Sequence, residues 1–342
     1  MVARKRLAKA GAAPAPEFNL AKAPCIPTGC SLLDCVLGGG YGRGRVINIV
    51  GDKSVGKSLL AIEACANFAK QSPRGKIFYR ESEAAFDVPY AETVGLPPEK
   101  VDFGPDGIDS AWDTVEDIFE DLDSCLDQCA ELGVPGLYIV DSLDALSSKA
   151  ELARKPGDAT FGLEKQKLLG QLFRKLVRRV KKQDFTVIII SQVRDKIGVV
   201  FGEKHTRTGG KALDFYTSQI LWLSHLGILN KTVKGVKRAY AVRIKAKCKK
   251  NKIGKPFREC EMTLDFGYGI DDILSGVEWL EEVKATERLG LKPGKEVDAF
   301  LKAASGAAGE ELTSIREQVR DAVIAEWAEV EKNFAPKRQK YS

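Results

Sequence analysis

The sequence predicts an α/β protein: a mostly parallel central sheet, extended by antiparallel strands and followed by a small helical lobe. Three observations carry that expectation. Short apolar runs alternate with segments of helical period through the first half of the chain, those runs lack polar alternation, and after Tyr216 the texture changes to strand-like stretches joined by short turns. An unbroken apolar run suits a strand covered on both faces, which is the condition of a parallel sheet whose connections are helices.

In order along the chain, residues 1–24 are rich in Ala, Lys and Pro and read as a flexible basic arm. VINIV (46–50) is a buried strand ending at Gly51, LLAIEACANFAK (59–70) has helical apolar spacing, and KIFYR (76–80) is the next strand. Residues 110–132 form an amphipathic helix, opened by a Ser110 cap and stopped near Gly133. LYIVD (137–141), a helix over about 161–183 and TVIII (186–190) continue the alternation. QILWLS, YAVRIKAKC and FRECEMTLDF then read as β-strands that extend the sheet, and the last 70 or so residues as helices broken at SGAAG (305–309). The expected organisation is an arm over 1–24 for oligomerisation or DNA contact, a core over 25–272 and a small lobe over 273–342.

Composition narrows the function classes. Hydrophobic content of 44% with 29% charge suits a soluble globular protein, and no apolar run approaches the length of a membrane span. The opening MVARKRLAKAGAAPAP is basic but lacks the apolar region of a secretory signal, so export is not expected. The eight cysteines contain no CxxC pair and only two histidines accompany them, which indicates reduced, mostly buried thiols rather than a metal or disulfide framework. Net charge is a modest +6, but its distribution is uneven: 174–182, 194–211 and 243–258 are basic and 102–131 is acidic. Such asymmetry points to one face built for a polyanion.

GDKSVGKS (51–58) fits G-x-x-x-x-G-K-S/T and lies between a buried strand and the start of a helix, where a phosphate-binding loop has to be. Gly51, Asp52, Lys53, Ser54, Val55 and Gly56 supply the wrapping backbone, whose amides face an anion at the helix amino terminus. Lys57 would reach the β- and γ-phosphates, and the Ser58 hydroxyl would ligate Mg2+. A plain glycine-rich turn has no need of that setting, so the chain is expected to bind a nucleoside triphosphate. Asp141 closes LYIVD at the carboxyl end of a strand, where ligands gather in open α/β sheets. It is the expected second partner of the Mg2+, against the alternative that it caps a following helical turn.

Taken together, GDKSVGKS, ESEAAFDVPYAETVGL (81–96), LYIVDSLDAL (137–146) and ELARKPGDATFGLEKQ (151–166) resemble the RecA-type recombinases, phage-encoded members included, in order from about Ile26 to Asp272. The resemblance implies a RecA-like P-loop NTPase core that hydrolyses ATP with Mg2+ in a DNA-dependent way. It implies a homo-oligomeric helical filament on single-stranded DNA, with homologous pairing and strand exchange against double-stranded DNA. Single-strand-binding and mediator proteins are implied as partners, in the cytoplasm of a bacterium or phage-infected host and in association with the nucleoid.

Carried over by motif, Glu83 falls where the family keeps the carboxylate that activates the attacking water. Glu81 is its competitor two residues earlier; spacing alone does not separate them, and the resemblance favours Glu83. Asp87 and Tyr90 match positions near the nucleotide base. Gln192 matches the sensor of the γ-phosphate, and the segment from Arg194 to Gly210 resembles the second DNA loop. There Arg194, Lys196, Lys204, Arg207 and Lys211 would neutralise phosphates, Gly209 and Gly210 would permit close backbone approach, and Ile197 would wedge between bases. A mobile lid over the active site is the alternative. Residues 151–162 resemble the first DNA loop, with Arg154 and Lys155 on phosphates and Phe161-Gly162 at the inserting tip. Lys250 and Lys252 match lysines that reach ATP on a neighbouring subunit, and Phe215 a residue of the filament interface. The chain ends in PKRQKYS instead of a long acidic tail, so regulation through such a tail is not expected. FNLA (18–21) fits the loose docking pattern of eukaryotic and archaeal relatives, beside the plainer reading of a basic arm. A hexameric helicase of the same core and a non-catalytic DNA-coating filament are the rival functions.

Overall fold

The apolar runs do become the centre of one large sheet. The computed structural model describes residues 24–83, 86–154, 163–195, 205–207 and 210–336, the side chains of 163, 164, 194, 195, 205, 206 and 211 apart. Two short strands, β1 (Cys25–Ile26) and β2 (Tyr41–Gly42), pair antiparallel across helix α1 (Ser31–Leu37). The alternation follows: β3 (Val46–Gly51), α2 (Lys57–Gln71), β4 (Lys76–Glu81), a short α3 (Val88–Thr93), β5 (Val101–Asp102), α4 (Val115–Leu132) and β6 (Gly136–Asp141). One-turn α5 (Lys149–Leu152), α6 (Leu163–Lys182), β7 (Phe185–Asp195), β8 (His205–Arg207) and α7 (Gly210–Tyr216) come next. Strands β9 (Gln219–Val233), β10 (Val236–Asn251), β11 (Glu259–Asp265) and β12 (Gly269–Asp271) precede helices α8 (Asp272–Glu282), α9 (Lys295–Ala304) and α10 (Gly309–Asn333).

Apart from β8, which pairs with β7, the sheet order is β12-β11-β10-β9-β3-β7-β6-β4-β5. It is parallel from β9 to β5 and antiparallel from β9 to β12. Alternate residues of each strand go to opposite faces. Ile47, Ile49, Ile188 and Ile190 join α1 and α2 on one face, while Val46, Val187 and Ile189 join α4 and α6 on the other. Each such side chain contributes roughly 1.5–3 kcal/mol by leaving water. Asn48 is the polar exception on β3, and its amide is used: Nδ2 donates to Ile189 O (2.8 Å) and Ser191 Oγ (3.0 Å). The carboxyl-terminal helices add Val277, Leu280, Val319, Val323 and Trp327 to the first cluster. Gly276 lets α8 approach α10, since a Cβ there would sit 2.7 Å from Val319 Cγ1. All eight cysteines are free thiols, seven of them buried. No helix among the described residues is long and apolar enough to cross a membrane.

Three boundaries differ from the sequence expectation. Helix α4 begins at Val115 with Thr114, not Ser110, as its cap: Thr114 Oγ1 accepts from Asp117 N at 3.1 Å. A bridge holds this stretch extended, Val115 N donating to Ser147 O (2.9 Å) and Ser147 N to Asp113 O (2.8 Å), so the helix cannot start earlier. Ser110 is buried in a turn, its hydroxyl donating to Gly107 O. Strand β7 runs on to Asp195 because β8 returns to pair with Val193–Asp195. β9 and β10 outrun the apolar stretches that announced them. Their turn is Lys234-Gly235 at φ +49° and +81°, the left-handed pair that a two-residue type I′ hairpin requires.

Candidate active site

Four parallel strands end at one edge of the sheet. Gly51 on β3 pairs with Gln192 on β7, and Glu81 on β4 pairs with Asp141 on β6. Carboxyl ends of parallel strands are where an open α/β sheet leaves a crevice for a ligand.

From Gly51 the chain turns through Ser54 (φ +57°) and Gly56 (φ +81°) into α2. Both glycines of the loop are sterically required. A Cβ at Gly51 would lie 2.5 Å from Val55 Cγ2, and one at Gly56 would lie 2.2 Å from Leu264 Cδ1 on β11. The loop therefore presents backbone amides at the start of a helix, a cradle suited to phosphate oxygens. Lys57 Nζ crosses the loop to donate to Asp52 O at 2.6 Å. Burial lowers the pKa of that ammonium, opposed by the charges of Asp141, Glu83, Asp52 and Asp144.

Asp141 is buried, and its Oδ2 accepts from Tyr79 OH at 2.7 Å. Burial raises its pKa against the hydrogen bonds of Tyr79 and Ser58 and the charge of Lys57. The Ser58 hydroxyl and the Asp141 carboxylate thus meet at one point beside a cation. They are hard oxygen donors, and with phosphate oxygens they fit Mg2+, which keeps few protein ligands.

Glu81 and Glu83 separate in the structure. The Glu81 carboxylate turns back to accept from Glu83 N at 2.8 Å. Glu83 Oε1 instead accepts from Ser142 Oγ (2.6 Å) and from Gln192 Nε2 (3.1 Å). Gln192 is fixed in turn, its backbone N donating to Asp144 Oδ2 at 2.6 Å. Ser142, Asp144 and Tyr79 are contributors that the sequence reading missed. A hydroxyl or carboxylate just after a strand looks the same whether it caps a helix or orients a neighbour.

The remaining candidates are spread out. Asp87 caps α3, its side chain accepting from Tyr90 N (3.0 Å), while Tyr90 is half-buried against the core. Lys250 donates to the carbonyls of Asp214 and Phe215 at the end of α7. Burial, then the neighbouring charge of Lys252, lowers its pKa. Lys252 lies just past the last residue of β10, so the strand pleat does not set its direction. Phe215 is 71% exposed, unlike an interior phenylalanine. Arg207 is buried and paired with Asp214 at 2.7 Å, engaged within the chain where a phosphate contact was expected. Gly210 opens α7 at φ +40°, and Arg154 follows α5, half-buried. Arg194 ends within β7 and Lys211 lies in α7, their side chains undescribed. Lys155, Phe161, Gly162, Lys196, Ile197, Lys204 and Gly209 lie outside the described residues, as does FNLA.

Comparison with known proteins bears on the family of the chain. The family model described as the RecA N-terminal domain matches residues 9–271. Protein RecA of Treponema denticola is 37% identical over 246 residues, 72% of this chain and 56% of that protein. Protein RecA of Arthrospira platensis is 36% identical over 269 residues, covering 79% and 69%, and that of Syntrophus aciditrophicus 39% over 246 residues, covering 72% and 67%. The aligned stretch thus spans little more than half of the Treponema relative and about two thirds of the other two.

Proposed function

The chain belongs to the RecA family, and from that premise we propose that it is an ATP-dependent DNA recombinase. It forms a helical filament on single-stranded DNA, pairs that strand with homologous duplex DNA and exchanges strands, with DNA-stimulated ATP hydrolysis. One observation carries the reading: Gln192 donates to Glu83 beside Gly51, joining the candidate base to the candidate sensor at the strand that leads into the second DNA segment.

In this reading Glu83 holds a water in line with the terminal phosphate and takes its proton. Lys57 and the loop amides bear on the phosphates. Ser58 and Asp141 would hold Mg2+, which when bound draws negative charge from the phosphate oxygens. Gln192 keeps or gives up its bond to Glu83 according to whether a phosphate oxygen competes for its amide, and β7 passes that difference towards Arg194. Lys250 and Lys252 serve a neighbouring copy, Lys250 leaving the carbonyls of Asp214 and Phe215 to do so, with Phe215 in the contact. Asp87 and Tyr90 border the base, Arg154, Lys155, Arg194, Lys196, Lys204 and Lys211 hold the strand, and Arg207 would have to leave Asp214 to join them. The cytoplasm is the proposed compartment.

Three-strand exchange with wild type and Lys57→Ala tests the reading. Wild type should exchange strands and the variant should not. Exchange that persists unchanged in the variant would contradict the mechanism, and closed rings that unwind forks would replace it with the motor alternative.

A further inference from the structure

Tyr79 is wholly buried on β4, and its hydroxyl donates to Asp141 Oδ2 on β6 at 2.7 Å. The contact is diagonal. In the parallel register Tyr79 stands opposite Ile139 and Glu81 opposite Asp141, so phenol and carboxylate share one face, two positions out of step. Strands about 4.8 Å apart, with a rise of about 3.3 Å per residue, put the two backbones roughly 8 Å from one another, a gap that a tyrosine spans and a serine or threonine does not. Glu81, the direct neighbour of Asp141, turns its carboxylate to Glu83 N instead.

The phenol is itself aimed by packing. Its ring meets Phe86 edge to face with centroids 4.9 Å apart, and Phe103 at 6.1 Å. Phe86 and Phe103 meet each other edge to face, also at 4.9 Å. Rings interlocked in this way fix the rotation of Tyr79, so its hydroxyl has one direction. The terminal torsion of an aspartate is otherwise broad, and with Oδ2 held the plane of the Asp141 carboxylate is set. The sheet does not need this bond to join its strands, because β4 and β6 already pair from Lys76 with Gly136 to Glu81 with Asp141.

We propose that Tyr79 is a positioning residue for the metal: it holds the Asp141 carboxylate in the plane from which Asp141 and Ser58 receive the Mg2+ of bound ATP. The proposal rests on the reading of Asp141 and Ser58 as the Mg2+ partners. Hydrogen-bond partners of metal-binding carboxylates carry about 10–100-fold in metal affinity or activity. A bond that only clasped β4 to β6 would change stability and leave the metal alone.

The test uses the full chain with a non-hydrolysable ATP analogue and Mn2+, whose free fraction is counted by electron paramagnetic resonance. The variants are Tyr79→Phe, Asp141→Asn and the two together; Tyr79→Phe keeps the ring and removes one hydroxyl. In Tyr79→Phe, Mn2+ affinity should fall about tenfold or more, while the analogue without metal should bind within about twofold of wild type. With ATP and single-stranded DNA, the Mg2+ concentration for half-maximal hydrolysis should rise about as far, and the rate at saturating Mg2+ should stay within about threefold. In the Asp141→Asn background the hydroxyl should add little, because the group it orients has lost its charge. Unchanged Mn2+ affinity in Tyr79→Phe, whether or not the melting temperature falls, would overturn the proposal and leave a structural clasp. So would losses that add in full in the double variant, since the phenol would then act by a route other than Asp141. Unchanged Mn2+ affinity in Asp141→Asn would instead defeat the reading of Asp141 as a Mg2+ partner, whatever Tyr79→Phe does.

Discussion

Gln192 Nε2 donates to Glu83 Oε1 across 3.1 Å, joining two residues 109 positions apart in the chain. The pair sits where β7 passes the phosphate loop, Gln192 opposite Gly51. In the proposed function that amide serves the carboxylate in one state and a phosphate oxygen in the other.

Removing the base should stop chemistry without stopping binding. Glu83→Gln keeps the size and an acceptor for Ser142 but cannot take a proton, so ATP hydrolysis should fall about 10²–10⁴-fold while a fluorescent ATP analogue still binds. Gln192→Ala should slow hydrolysis in wild type and add little in the Glu83→Gln background. Independent, additive losses would show that the hydrogen bond is not functional.

The Mg2+ assignment has its own readout. Asp141→Asn keeps a partner for Tyr79 OH and neutralises a buried carboxylate, so thermal stability should hold. The Mg2+ concentration for half-maximal hydrolysis should rise about tenfold or more. An unchanged Mg2+ requirement would leave Asp141 a structural residue.

Stability should fall with rising pH in a window set by two buried carboxyls. Asp34 Oδ1 accepts from Thr28 N at 2.8 Å, and burial pushes its pKa up to about 7. Burial likewise raises Glu63 to about 7. The folded state holds protons that the unfolded chain releases near 4, so this contribution is full below about 4 and is lost as pH rises to about 7. Melting temperature should therefore drop between pH 5 and 7 and level off above. Asp34→Asn should flatten the drop and gain most at pH 8; a steeper profile in the variant would contradict the buried-acid account.

Phe215 supplies a test of the subunit contact. Its side chain is 71% exposed, so Phe215→Ala should change urea stability by no more than about 0.5 kcal/mol. Assembly on single-stranded DNA, followed by sedimentation, should weaken. Intact assembly with reduced stability would make it a packing residue.

Much of this molecule was legible in its residues. The strands covered on both faces announced themselves, because burial on two sides leaves few polar positions, and on β3 only Asn48. The phosphate loop was legible because its motif is local: Gly51 closes β3 against Val55, and Gly56 turns at φ +81° into α2. The start of α4 was not: Ser110 and Thr114 are both competent caps, and the choice came from the Ser147 bridge. The full reach of β9 and β10 was not either, since a strand exposed on both faces has no apolar period to mark its end.

By itself the sequence determined the succession of strands and helices, the phosphate cradle and a short roll of candidate acids, all consequences of local period and backbone chemistry. Only the tertiary structure decided that Glu83 rather than Glu81 receives the Gln192 amide, and that Arg207 turns to Asp214. It also decided that Lys231 and Arg238 face each other across the β9–β10 hairpin. The physical reason is register: which atoms meet across β3, β7, β6 and β4, or across a long hairpin, is set by packing between residues far apart in the chain, and no local pattern encodes it.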